Sequence, residues 1–236
     1  MSYMRYLTLA TLRCLNPNLD IRLYRPSGFA GLREIAWKSG ESQDFDYCGP
    51  DYTPRLADLA LDEREWVVPD EVRRLKGVTP ASLSDFFRWD LLRRHGGWYF
   101  DMDILFLRPL SDVPAEFHIA DVLIPFSTKH WCLYNSVLAS QAGSPFFDEC
   151  YHKALRQFNP DVYMSVATPV FCPYEKTKRF WQTVQADYPN ERILPLPSSV
   201  FHGVECDDIH TLYEIPAHRL DKSPVGIHWF AGKGVS

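Results

Sequence analysis

Six cysteines, at positions 14, 48, 132, 150, 172 and 206, include no C-x-x-C pair. That lack removes zinc knuckles and thioredoxin-type redox sites. The histidines show no H-E-x-x-H or H-x₃-H spacing, and neither G-x-S-x-G nor a P-loop occurs. Zinc-hydrolase, nucleophile-elbow and P-loop chemistry therefore have no sequence support. No run approaches the ~18 apolar residues of a membrane helix. There is no N-x-S/T sequon, and Met1-Ser2-Tyr3-Met4-Arg5 lacks the charged-then-apolar order of a secretory leader. Excess positive charge is missing as well. With 25 Lys+Arg against 30 Asp+Glu the net charge is -5, which argues against nucleic acid as a partner, since phosphate contact needs concentrated positive charge. Repeats, low-complexity tracts and linkers are also absent. The chain reads as soluble and cytoplasmic, with a membrane-peripheral placement compatible. A lumenal placement is expected if it is a piece of something longer. An even cysteine count permits disulfides, but reduced buried thiols fit this length and start better.

What is present suits one large domain. The 236 residues are 46% hydrophobic and 14% aromatic, enough for a substantial core. Residues 3–15 carry a helical apolar face of Tyr6, Leu7, Leu9, Ala10 and Leu12, stopped by Asn16-Pro17-Asn18. Residues 21–24 read as a short strand. Residues 25–80 are loop-rich, with short helices expected at 56–61 and 69–75, and a stretch of this kind often serves as a lid. Residues 82–95 form the clearest helix, with Thr79-Pro80 before it and Gly96 after it. Strands are expected at 98–100, 104–107, 122–126, 133–138, 193–196 and 225–230, and helices at 144–158 and 175–187. Alternation of helices and short strands predicts an α/β domain with a mixed, mostly parallel sheet.

Three groups of residues carry chemistry. Trp98-Tyr99-Phe100-Asp101-Met102-Asp103 places two carboxylates one residue apart at the end of an aromatic run. In extended backbone such side chains share a face, so Asp101 and Asp103 converge on one ligand. Carboxylate oxygens suit Mg²⁺ or Mn²⁺, which share ligands with substrate phosphates. The reading is a metal that neutralises a leaving diphosphate. On the preceding helix, Asp85 and Arg88 lie within roughly 60° of each other, with Asp90, Arg93 and Arg94 on about the opposite side. One polar cluster is expected to face water and the other a cavity or polar neighbours. An ordinary surface ion pair is the plainer account of each. The third group is Val225-Gly226-Ile227-His228-Trp229-Phe230-Ala231-Gly232-Lys233. There His228 is a candidate metal ligand, or a structural histidine beside a core tryptophan, and Lys233 a point charge for phosphate.

Ser84-Asp85-Phe86-Phe87-Arg88, followed by Gly96-Gly97-Trp98-Tyr99-Phe100-Asp101-Met102-Asp103, closely resembles the signature of the D-x-D sugar-transferase family. Mannosyltransferases, capsular sugar transferases and, distantly, the clostridial glucosylating toxins belong to it. Weaker similarity covers residues 3–9 with Asn16-Pro17, 130–136 and 227–229. The resemblance implies a GT-A-type, Rossmann-like single domain over residues 1–236, without the family's first strand and truncated at one or both ends. It implies a retaining hexosyltransferase of polysaccharide biosynthesis, with a UDP- or GDP-sugar donor, a carbohydrate or other hydroxyl acceptor, and Mn²⁺ or Mg²⁺. Asp85 and Arg88 would hold donor sugar hydroxyls. Asp101 would contact ribose, sugar and metal, while Asp103 would ligate the metal. Asn135 would sit near the donor sugar, His228 at the metal or diphosphate, and Trp229 beside the nucleotide. At Val166-Ala167-Thr168-Pro169, Thr168-Pro169 would keep a turn that relatives build with Gly-Pro. Two alternatives remain. One is a haloacid-dehalogenase-like phosphatase, whose D-x-D usually opens the chain. The other is a non-catalytic relative that binds glycans or a partner.

Overall fold

The computed structural model describes residues 1–29, 49–162, 165–171, 176–205, 208–214 and 221–230. Helix α1 (Tyr3–Leu15) is followed by strands β1 (Arg22–Ser27) and β2 (Asp62–Val67), helices α2 (Asp70–Arg73) and α3 (Pro80–His95), and strands β3 (Gly97–Phe100) and β4 (Ile104–Phe106). Strands β5 (Val122–Ser127), β6 (Cys132–Leu133) and β7 (Val137–Ser140) come next, then helices α4 (Pro145–Gln157) and α5 (Thr177–Asp187). Strand β8 (Ile193–Pro197), helix α6 (His210–Glu214) and strand β9 (Gly226–His228) complete the order. The class is α/β, as expected. The chain divides into two compact units: Met1–Val67 with Asp101–Val113 and Ser199–Ser236, and Val68–Phe100 with Pro114–Ser198.

In the first unit α1 forms where its apolar period lies. Ser2 caps it by accepting from the Arg5 amide at 3.4 Å, and Leu9 packs on the buried Leu56 and Leu59. Asn16 does more than stop the helix. Its side chain donates to the Leu12 carbonyl at 2.9 Å and accepts from the Leu110 amide at 2.8 Å. Two threonines on α1 hold the segment that carries the aspartates. Thr8 donates to the Met102 carbonyl at 3.0 Å, and Thr11 accepts from the Phe106 amide at 3.2 Å. Strand β2, sequence DEREWV, pairs in parallel with β1 from Arg22↔Asp62 to Ser27↔Val67. Its charges hid it from the sequence reading, because Trp66 is its one buried residue. Ion pairs such as Arg25–Glu63 run along its exposed side, and pairs of this kind contribute little on their own. Strand β4 pairs antiparallel with β9, setting Ile104 opposite His228.

In the second unit α3 opens with a capping box, Thr79 and Ser82 each bonding the other's backbone amide, and with Pro80 in its first turn. Gly96 closes it at φ +61°, ψ −156°, a conformation essentially confined to glycine. A Cβ there would lie 2.5 Å from the Ala142 backbone nitrogen. The sheet runs β3-β7-β5-β6, with β8 also beside β5. All six residues of β5 are buried, and Phe86, Trp89 and Phe147 are fully buried on α3 and α4. The Trp89 indole donates to the Val166 carbonyl at 2.8 Å.

The sheet is mixed, yet the expected parallel majority is not found. Only β5–β8 is parallel within it, while β3–β7, β5–β6 and β5–β7 are antiparallel. The span 133–138, read as one strand, is split between β6 and β7. The four residues between β5 and β6 are too few for a parallel crossover, so that pair must reverse direction. Among the described residues Cys14, Cys132 and Cys150 are thiols outside any disulfide. Burial pushes the Cys150 thiol up, which keeps it protonated and unreactive. Cys14 is exposed rather than buried, and Cys48, Cys172 and Cys206 lie outside the described residues. No helix among the described residues is long and apolar enough to cross a membrane.

Candidate functional site

Asp101, Asp103 and His228 form the central group of the first unit. Each offers one ligand atom, and these atoms lie within 4.8 Å of one another. Antiparallel pairing explains the histidine's position. His228 ends β9 opposite Ile104, and the next backbone bond runs from the Trp229 amide to the Asp103 carbonyl at 2.9 Å. His228 Nε2 lies 2.9 Å from Asp103 Oδ1, and its Nδ1 is buried without a hydrogen-bond partner. The Phe230 ring, centred 3.9 Å from the imidazole, packs against it.

The route to this convergence differs from the expected one. Residues 101–103 form a turn between β3 and β4, so chain reversal and the α1 threonines bring the acids together, not strand alternation. Nor are the acids deeply buried, since β3 is an edge strand and half-exposed. Desolvation therefore does not by itself demand a cation, and the donor set is what fits one. Octahedral Mg²⁺ binds oxygens at about 2.1 Å, so adjacent ligands stand about 3 Å apart. The Asp103–His228 separation matches that edge. Two carboxylates with one imidazole suit Mn²⁺ or Mg²⁺ better than a soft metal.

The second unit holds the other group. Asp85 and Arg88, one helical turn apart on α3, form a buried ion pair at 3.2 Å. Asn135 Nδ2 donates to Asp85 Oδ1 at 3.0 Å, and Arg88 Nη1 donates to the Asn135 carbonyl at 2.5 Å. The structure thus brings Asp85, Arg88 and Asn135 together. It adds two residues that the sequence reading gave no role. Tyr99 lies under the Arg88 guanidinium, 4.8 Å from ring centre to Cζ, and its hydroxyl is 3.3 Å from Ser84 Oγ. Both stand inside the quoted signature, and the aromatic after the glycine pair was the available signal. A guanidinium fixed on several sides presents a rigid array of donors, suited to orienting hydroxyls or phosphate oxygens.

The opposite cluster on α3 is structural. Asp90 is 0% exposed and bonds Arg93 at 3.0 Å and Arg94 at 2.5 Å, while Arg93 continues to Asp148 at 3.1 Å. The expectation that one cluster would face water holds only for the Arg94 end. Arg93 and Arg94 cover an acid that the α3–α4 packing has taken out of solvent. Trp229 is partly exposed with its indole N–H buried and unpartnered. Thr168–Val170 forms a 3₁₀ turn, as Thr168-Pro169 implied. Lys233 lies outside the described residues.

Residues 39–120 match the family described as a glycosyltransferase sugar-binding region containing the DXD motif. That span holds α3, β3 and both aspartates. The match takes in residues 84–103, and the resemblance drawn from them is borne out. No curated protein is significantly similar to the chain. Among solved structures, "PaToxG Glycosyltransferase" is similar with a TM-score of 0.49 and 14% identity, over 80% of this chain and 64% of that one. The chain thus spans less than two thirds of that structure's length.

Proposed function

We propose that this protein is a metal-dependent, retaining glycosyltransferase of the GT-A type, moving a hexose from a UDP- or GDP-sugar to a glycan or other hydroxyl acceptor. The observation that carries the reading is the convergence of Asp101, Asp103 and His228 inside and beside a segment matched to the DXD sugar-binding region. Asp103 and His228 are the assigned ligands of Mn²⁺ or Mg²⁺, with Asp101 completing the set. The bound ion would supply positive charge for the leaving diphosphate and act as a Lewis acid. Asp85 and Arg88, with Asn135, are assigned to donor sugar hydroxyls. Their buried bonds favour this role, because a fixed array needs no reorganisation as charge develops at the anomeric carbon. Tyr99 holds Arg88 from one side and precedes Asp101 by two residues, which links the groups in sequence. No side chain is assigned as a base: the departing phosphate oxygen takes the acceptor proton, so catalysis is mainly positioning. Trp229 is assigned to the nucleotide. The matched segment favours glycosyl transfer over the phosphatase alternative.

Asp103→Ala tests the reading. Hydrolysis and transfer from a panel of UDP- and GDP-hexoses with Mn²⁺ should fall at least ~100-fold, with the thermal melt close to that of the unmodified chain. Metal-dependent turnover that survives the substitution refutes the assignment.

A further inference from the structure

Trp131 stands in the connection between β5 and β6 with φ +51°. A bulky residue in this left-handed region is a genuine outlier, whereas glycine or asparagine occupies it easily. The described chain has one other large side chain in this state, Phe230. It is buried against His228, so packing offsets the strain. Trp131 is 46% exposed and has no such compensation. Its ring is nevertheless held. The Lys178 ammonium sits 4.4 Å from the centroid on one face, and Phe126 meets it edge-on at 5.6 Å. Phe126 is in turn edge-on to Trp181 at 5.7 Å, which anchors the support in the sheet and α5.

Strained backbone that keeps an exposed aromatic in place is a mark of function. The electron-rich face of an indole attracts groups bearing partial positive charge, and the C–H face of a pyranose is such a group. Position narrows the choice of sugar. Asn135 lies four residues beyond Trp131, so their Cα atoms are at most about 14 Å apart. Asn135 itself bonds Asp85. We infer that Trp131 is a stacking platform for a sugar ring of a carbohydrate acceptor, with Lys178 buttressing its other face. The acceptor assignment rests on the transferase reading, while the stacking surface does not.

Calorimetric titration of the full chain with mannotriose, maltotriose and cellotriose tests this, beside donor hydrolysis to water. At least one oligosaccharide should bind the unmodified chain. Trp131→Gly and Trp131→Asn, both suited to the backbone, should melt close to it, weaken that binding about tenfold or more, and leave donor hydrolysis unchanged. Trp131→Phe should retain most of the affinity. Equal affinity in the Gly or Asn variant, or no binding of any of the three sugars by the unmodified chain, overturns the inference. Trp131-dependent sugar binding in a chain that hydrolyses no donor would keep the platform and remove the transferase reading.

Discussion

Glu71 accepts the Tyr151 hydroxyl at 2.8 Å, and the Arg93 guanidinium lies 3.9 Å from the centre of the same tyrosine ring. Burial, then the Glu71 bond, pushes the Tyr151 hydroxyl up, so it stays a donor at ordinary pH. The Glu71 backbone amide, followed by that hydroxyl, holds the Glu71 carboxyl below its usual 4.5. A carboxyl depressed in the folded state binds fewer protons there than in the unfolded chain. Its contribution is complete above pH 4.5 and fades as pH falls through the lower, folded value. Glu71→Gln should therefore flatten the acid limb of the stability curve, measured by urea unfolding between about pH 6 and pH 3. At this scale the sequence was partly legible. The spacing of Asp85 and Arg88 announced their pairing, but nothing local revealed that Asp90 would be equally buried, because that depends on α4.

Elements were legible where one period dominated. The apolar face of α1 and the Pro-to-Gly frame of α3 lay in the sequence, whereas β2 did not, since a strand exposed along most of its length has no apolar alternation to read. The junction of α3 and β3 makes the strongest demand. Gly96 would place a Cβ against backbone atoms at 2.5–2.7 Å, while a Cβ on Gly97, at φ +90°, meets nothing within 4 Å. Gly97→Ala should cost about 1–3 kcal/mol of backbone strain. Gly96→Ala should exceed ~4 kcal/mol, since the clash adds to the strain. Urea midpoints of the two variants check the order, and equal losses would contradict the tight junction. The adjacency of Gly96-Gly97 was visible in the sequence, but which glycine is irreplaceable was not, because the obstacle comes from residues 140–142.

For the whole chain, the donor assignment predicts a heat-stability signature. UDP or GDP with Mn²⁺ at a hundredfold excess over Kd should add about 2.7 kcal/mol and raise the melting temperature by at least ~5 °C, an effect EDTA removes. No shift with either nucleotide would favour the non-catalytic relative. Whole-molecule properties were the least legible, because strand order rests on pairings such as Ile104 with His228, 124 positions apart in sequence. The parallel zip of β1 with β2, from Arg22↔Asp62 to Ser27↔Val67, fastens both ends of the intervening stretch. Closure entropy grows only with the logarithm of tether length, so each doubling costs about 0.6 kcal/mol. An insert placed directly after Ser27 therefore adds little closure cost, while the β1–β2 register and the seat of α1 on Leu56 and Leu59 stay as they are.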